Sequence, residues 1–251
     1  EALGIEELIK IDPGLISAKE QITGGLYCPT DESGDSRLFT LKLANLCEEN
    51  GAKFLMNTVA KKMVRTSNRI AAVETNLGHI DGDGFLVSSG VGSPDLLKTL
   101  GISIPIYPVK GYSVTLPITS SNQPPHLGGV DEDSLLAYCP LGDRLRITAT
   151  AEISGYDTSY ETGDFRTMLQ KVKELLPLAA DYDNPSYWAC LRPMRPTGLP
   201  FVDRTHYSNL WLNAGHGHMG WTMACGTAKI IADIIANRAP DIPLDGMMIN
   251  H

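Results

Sequence analysis

Gly215, Gly217 and Gly220 stand within six residues of one another and run straight into a helix-like pattern, NAGHGHMGWTMACGTAKIIAD over 213–233. Glycine permits positive φ and lets backbone N–H groups come close to a ligand. A helix that starts there turns its unpaired N–H groups and positive dipole end toward the loop. The chemistry that suits such a place is binding of an anion, or of an electron-rich ring that becomes anionic. His216 and His218 form an H-x-H pair in the same stretch. Two histidines so spaced could ligate a metal from a strand, but no third ligand stands nearby at a familiar spacing. Loop residues facing a cofactor are the better reading, and no metal is expected.

Arg192, in CLRPMRPTGLP (190–200), is the second chemical candidate. An arginine fixed by a following proline can offer a planar fork to a carboxylate; a structural ion pair on a loop is the alternative. Arg195 repeats the Arg-Pro pattern and reads as the structural one of the two. Tyr112 in KGYS and Tyr138 in AYCP fall on expected strands. Each hydroxyl could bond a substrate carboxylate, or each ring could belong to an aromatic core or rim. Asp31, Glu32 and Asp35 lack the pattern of a calcium loop and read as turn and capping residues. No G-x-G-x-x-G follows a strand, and neither a Walker loop nor a G-x-S-x-G elbow occurs. The five cysteines form no C-x-x-C and read as reduced thiols.

These residues need elements to hold them. Asp12-Pro13-Gly14 breaks a helix end and linker over 1–22, and a glycine- and acid-rich loop follows. Asp35 or Ser36 caps a helix from Arg37 to Asn50, which Gly51 ends. TVAKKMVR and RIAAVET form a hairpin around Ser67-Asn68, and FLVSS is a short buried strand. Gly90 to Pro94 turns into a short helix ending near Leu100. VKGYSVTLPI, LLAYCPL and DRLRITATAEI read as strands of a mostly antiparallel sheet, with a turn at Gly142-Asp143. Phe165 to Leu176 is helical, stopped at Pro177. Ser186 to Leu191 is a strand, and the proline-punctuated run follows it. Two short strands and the glycine-to-helix element close the chain.

Length and charge narrow the functions. At 251 residues the chain can bury a real core. Its net charge of −8, with dispersed acidic residues, argues against nucleic acid as a partner. No apolar run approaches a membrane span. Glu1 to Lys10 is acidic and amphipathic rather than a signal peptide. With no initiator Met, the chain reads as a fragment or processed product.

Five segments together resemble the D-amino acid dehydrogenase small subunit family, within the flavin-dependent D-amino acid oxidase and glycine oxidase superfamily. They are GGLYCPTDESGDSRLF (24–39), PVKGYSVTLP (108–117), DRLRITATAEISGY (143–156), CLRPMRPTGLP (190–200) and LWLNAGHGHMGWTMACGTAKIIADII (210–235). The resemblance covers essentially the whole chain. It implies non-covalent FAD and oxidative deamination of D-amino acids. Arg192 matches the family arginine that pairs with the substrate carboxylate, and Tyr138 falls where some members place an assisting tyrosine. Tyr112 is a further substrate-side expectation. Gly215, His216, Gly217, His218, Met219, Gly220, Trp221 and Thr222 match the segment along the flavin ring. Val59 matches a residue whose backbone contacts adenine, and Ser89-Gly90 a turn near the ribose and diphosphate.

The fold class expected is α/β (α+β). Residues 23–103 and 200–251 form a partial FAD-binding lobe, 104–199 an inserted, mostly antiparallel substrate lobe, and 1–22 a helix end and linker. The family's opening βαβ unit with G-x-G-x-x-G is absent, so a truncated chain is expected. Where relatives often carry an acidic residue Thr197 stands, and where they carry threonine or serine Arg195 stands. Relatives work at the cytoplasmic face of a membrane and pass electrons to its quinone pool, so a cytoplasmic or peripheral location and a quinone or other acceptor are implied. Two other functions stay open at this point. One is a catalytically inactive fragment or half of a split flavoenzyme; the other is an oxidase of glycine, sarcosine or a D-proline-like imino acid.

Overall fold

The computed structural model describes residues 1–249. Strand β1 (Ala2–Gly4) pairs antiparallel with β2 (Gly24–Leu26), flanking helix α1 (Ile5–Ile11) and a 3₁₀ turn at Pro13–Ala18. The sequence reading has only a helix end and a loop here. Gly24 looks like a loop glycine but lies where a Cβ would stand 2.4 Å from the Leu3 carbonyl oxygen, so the close pairing needs it. Asp12, 3% exposed, separates helix from turn. Its carboxylate accepts from the amides of Gly14, His126 and Leu127, which offsets the cost of burying it.

Helix α2 (Ser36–Glu49) starts where Asp35 Oδ1 accepts from Leu38 N at 2.9 Å, so Asp35 is its cap. Strands β3 (Ala60–Thr66), β4 (Arg69–Thr75) and β5 (Gly78–Asp81) form an antiparallel meander, with the expected turn at Ser67-Asn68. Strand β6 (Phe85–Val87) leads through a 3₁₀ turn at Gly90–Gly92 into α3 (Ser93–Lys98). Then come β7 (Tyr107–Pro117), β8 (Gly129–Asp131), β9 (Leu136–Leu141) and β10 (Arg144–Glu152). Helix α4 (Arg166–Leu175), β11 (Ser186–Met194), β12 (Phe201–Arg204), β13 (Leu210–Ala214) and α5 (Gly220–Ile235) complete the chain. Strand β11 runs three residues further than the sequence suggests, through Pro193. Being at a sheet edge, it can carry a residue with no N–H to give.

The chain divides into two compact units. The first holds Glu1–Asn45, Lys110–Glu152 and Asp157–Cys190; the second holds Leu46–Val109, Ile153–Tyr156 and the chain from Leu191 onward. In the first, strands order as β11-β7-β10-β9-β8. Val114, Leu116, Leu145 and Ile147 alternate on one face, and Phe165, Met168, Val172 and Leu176 of the α4 region pack on them. Thr150, at φ 69°, makes a bulge between Ala149 and Ala151 that shifts the β7–β10 register.

In the second unit β13 is central. It pairs antiparallel with β12 and parallel with β6. One face of this sheet gives Val202 and Trp211 to a core with Ile230 and Ile231 of α5. The other gives Phe201, Leu210 and Leu212 to a core with Met63, Ile70 and Leu97. The result is a mixed helix-and-sheet fold with several antiparallel sheets.

Candidate active site

The glycine turn is shaped by what lies behind it. Gly215 has φ 84° and Gly217 φ 58°, values that favour glycine. A Cβ on Gly217 would stand 2.9 Å from Met194 Sδ, so a side chain there would both strain the backbone and displace Met194. Gly217 N donates to Pro193 O at 3.0 Å and Met219 N to His216 O at 3.1 Å. Helix α5 begins at Gly220, and Met219, its N-cap, makes no side-chain cap. His218, Met219, Trp221 and Thr222 are exposed, while His216 is half-buried.

His216 is held by the helix that follows. Its Nε2 lies 3.0 Å from Thr227 Oγ1. The same hydroxyl lies 3.0 Å from Met223 O and 3.3 Å from Ala224 O, so the ring is tied to the first turns of α5. Burial pushes the imidazole pKa down, which keeps the ring neutral. Thr227 carries no sequence signal for this task; only the turn of α5 brings it to His216. Among the described residues no three His, Cys, Asp or Glu side chains are grouped to hold a metal.

Strand order brings a second segment to the end of the sheet from which the glycine turn emerges. Leu212 of β13 pairs in parallel with Val87 of β6. The two strands therefore end on the same side of the sheet, one into Ser89-Gly90 and the other into Gly215. Carboxyl ends of parallel strands are where open α/β sheets bind ligands. Gly90 has φ 55°, Gly92 N donates to Ser89 O at 2.9 Å, and Ser89 Oγ lies 3.3 Å from Ser93 Oγ. Val59 stands apart, before β3. Its amide donates to Asn76 Oδ1 at 2.7 Å and its carbonyl accepts from Asn76 N at 3.3 Å, while its side chain is exposed.

Arg192 lies near the end of β11 and is half-buried. Burial lowers the pKa of its guanidinium, which nonetheless stays charged because its ordinary value is so high. The two tyrosines are placed differently. Tyr112 is 4% exposed, meets Phe165 edge-on at 5.4 Å between ring centres, and donates its hydroxyl proton to the Glu152 carboxylate. That bond, then burial, pushes its pKa up. Tyr138 packs against the same core, and burial, then Asp12 and Asp131, push its pKa up to about 12. Strand parity explains both positions. Tyr138 is registered with Ile147 and Ile147 with Val114, so both tyrosines share the helix-covered face of the sheet. All five cysteines are free thiols.

A family model described as FAD dependent oxidoreductase matches residues 1–234. The chain is 43% identical over 249 residues to D-amino acid dehydrogenase 2 of Mesorhizobium japonicum, covering 99% of this chain and 60% of that protein. It is 41% identical over 251 residues to D-amino acid dehydrogenase of Agrobacterium fabrum, covering 100% of this chain and 60% of that protein. It thus spans about 60% of the length of these relatives. Glycine oxidase from Geobacillus kaustophilus shares the fold, with a TM-score of 0.88 at 21% identity over 100% of this chain and 66% of that one. L-proline dehydrogenase from P. horikoshii does too, with a TM-score of 0.86 at 20% identity over 99% and 67%. The parallel strand ends, the glycine turn and a family match over nearly the whole chain converge: this chain belongs to the FAD dependent oxidoreductase family.

Proposed function

We propose that the protein containing this chain is an FAD-dependent D-amino acid dehydrogenase, with 23–103 and 200–251 serving the flavin and 104–199 the substrate. The observation that carries the cofactor half is the common carboxyl end of β6 and β13, where Ser89-Gly90 and the glycine turn emerge together. The substrate class is taken from the identity to D-amino acid dehydrogenases.

The residues present fit a flavin. Gly215 and Gly217 bring backbone close without side chains, and α5 starts uncapped behind exposed Met219, Trp221 and Thr222. Ser89 and Gly90 would serve the ribose and diphosphate side, and Val59 the adenine side. When bound, FAD supplies an acceptor for hydride from the substrate Cα. Arg192 would hold the α-carboxylate in a two-point grip and fix the amino acid's orientation, which supplies much of the rate. His216, neutral, adds no positive charge beside the turn, and the α5 dipole favours negative charge in front of it. The amine reacts neutral, with no side-chain base assigned. Electrons would pass on to a quinone at the cytoplasmic face of a membrane. No helix among the described residues is long and apolar enough to cross one.

The test is anaerobic addition of D-alanine, then L-alanine, to the FAD-loaded protein. Bleaching of the visible flavin band by the D-isomer alone is expected. A band unmoved by any D-amino acid would defeat the reading. Peroxide production in air, in place of quinone reduction, would turn the dehydrogenase into an oxidase.

A further inference from the structure

We propose that Arg195 is a positioning residue that buckles the end of β11, where Arg192 stands, to the glycine turn before α5. The inference rests on the roles proposed for Arg192 and that turn. Each of the three residues after Arg192 meets the turn. Pro193 O accepts from Gly217 N at 3.0 Å. Met194 Sδ lies 2.9 Å from where a Gly217 Cβ would stand. Arg195 Cδ lies 3.3 Å from where a Gly215 Cβ would stand.

Arg195 fastens this arrangement with its charge. Its Nη1 reaches Leu199 O at 2.8 Å, Pro200 O at 3.1 Å and Gly246 O at 3.0 Å, its two N–H groups being shared among the three carbonyls. The turn that brings two of these carbonyls round is closed by Gly198 N donating to Arg195 O at 3.1 Å, and Gly198 takes φ 75° to allow it. The guanidinium carbon lies 3.5 Å from the centre of the Phe201 ring. Phe201, 3% exposed, is registered with Ala214, the last residue of β13 before the turn. So the guanidinium rests on the strand pair from which the glycine turn emerges. Charged hydrogen bonds and a cation over an aromatic face are the stronger members of their classes, which suits a rigid brace. Lysine keeps the charge but lacks the planar group that stacks on Phe201.

The test compares Arg195→Lys and Arg195→Met in the purified protein. Hydrogen exchange of segment 213–222 should quicken about tenfold in the methionine variant and less in the lysine variant, as for loss of a local brace. Segment 228–235 of α5 should keep its protection. With D-alanine, KM should rise by more than kcat falls, because the grip of Arg192 is loosened while its charge remains. Unchanged exchange at 213–222, or an equal rise throughout the chain in both variants, would overturn the proposal. Exchange needs no turnover, so a protein inert toward D-alanine would sink the proposed function and leave this result standing.

Discussion

The large sheet of the first unit and the glycine turn of the second use polar side chains in opposite ways. In the sheet, Tyr112 and Tyr138 turn inward: rings join a core, and the Tyr112 hydroxyl is taken up by Glu152. At the turn, one set of groups is taken up in contacts and another faces outward. Pro193 O holds the backbone at Gly217, Met194 packs against it and Thr227 holds the His216 ring, while His218, Met219, Trp221 and Thr222 stay exposed. Residue type alone does not separate a polar group that maintains a fold from one that meets a ligand. Strand parity and the direction of each hydrogen bond do.

This contrast can be broken by substitution. The largest expected effect is that of Arg192→Ala. Steady-state kinetics of the FAD-loaded protein with D-alanine should show kcat/KM lower by about 2 kcal/mol or more, mostly through KM. Gly217→Val comes next. It forces a branched side chain onto positive φ and against Met194 Sδ, and should cost about 2 kcal/mol in denaturant unfolding. Flavin retention should fall with it.

Tyr112→Phe should cost about 1 kcal/mol of stability, the scale of one hydrogen bond, with KM for D-alanine within about twofold of the parent. Tyr138→Phe should cost less. A strong rise in KM from either would put the substrate on the tyrosine face and reverse the contrast.

The smallest effect concerns pH. His216 is held neutral, with its folded pKa below the ordinary 6.5. The unfolded chain therefore takes up the proton first as the solution is acidified. His216 contributes full stability above 6.5, and loses it progressively as pH falls through the lowered folded value. The slope of melting temperature against pH should be shallower in His216→Gln, and an unchanged slope would remove His216 as its source.

Much of this was legible in the sequence where the signal is local. The Asp35 cap, the β3–β4 turn, the β9–β10 turn at Gly142-Asp143 and the glycine run before α5 all sit beside the elements they define. Features set by distant pairing were not. Strands β1 and β2 have three residues each and find one another across an intervening helix, so neither shows an alternating pattern. The emergence of Ser89-Gly90 at the same end of the sheet as the glycine turn depends on a parallel pairing between residues 87 and 212. The parity of Tyr112 is a different case. In KGYSVTLP it alternates in step with Val114 and Leu116, so its inward direction was readable from the strand period itself.

The most direct test of Arg192 as the carboxylate's partner is an anaerobic titration of the FAD-loaded protein with D-alanine, parent against Arg192→Ala, following the visible flavin band. The parent band should bleach, and the variant should need on the order of thirtyfold more D-alanine for the same bleaching. Equal concentration dependence in the two proteins would contradict that role, since the carboxylate would then be held somewhere other than Arg192.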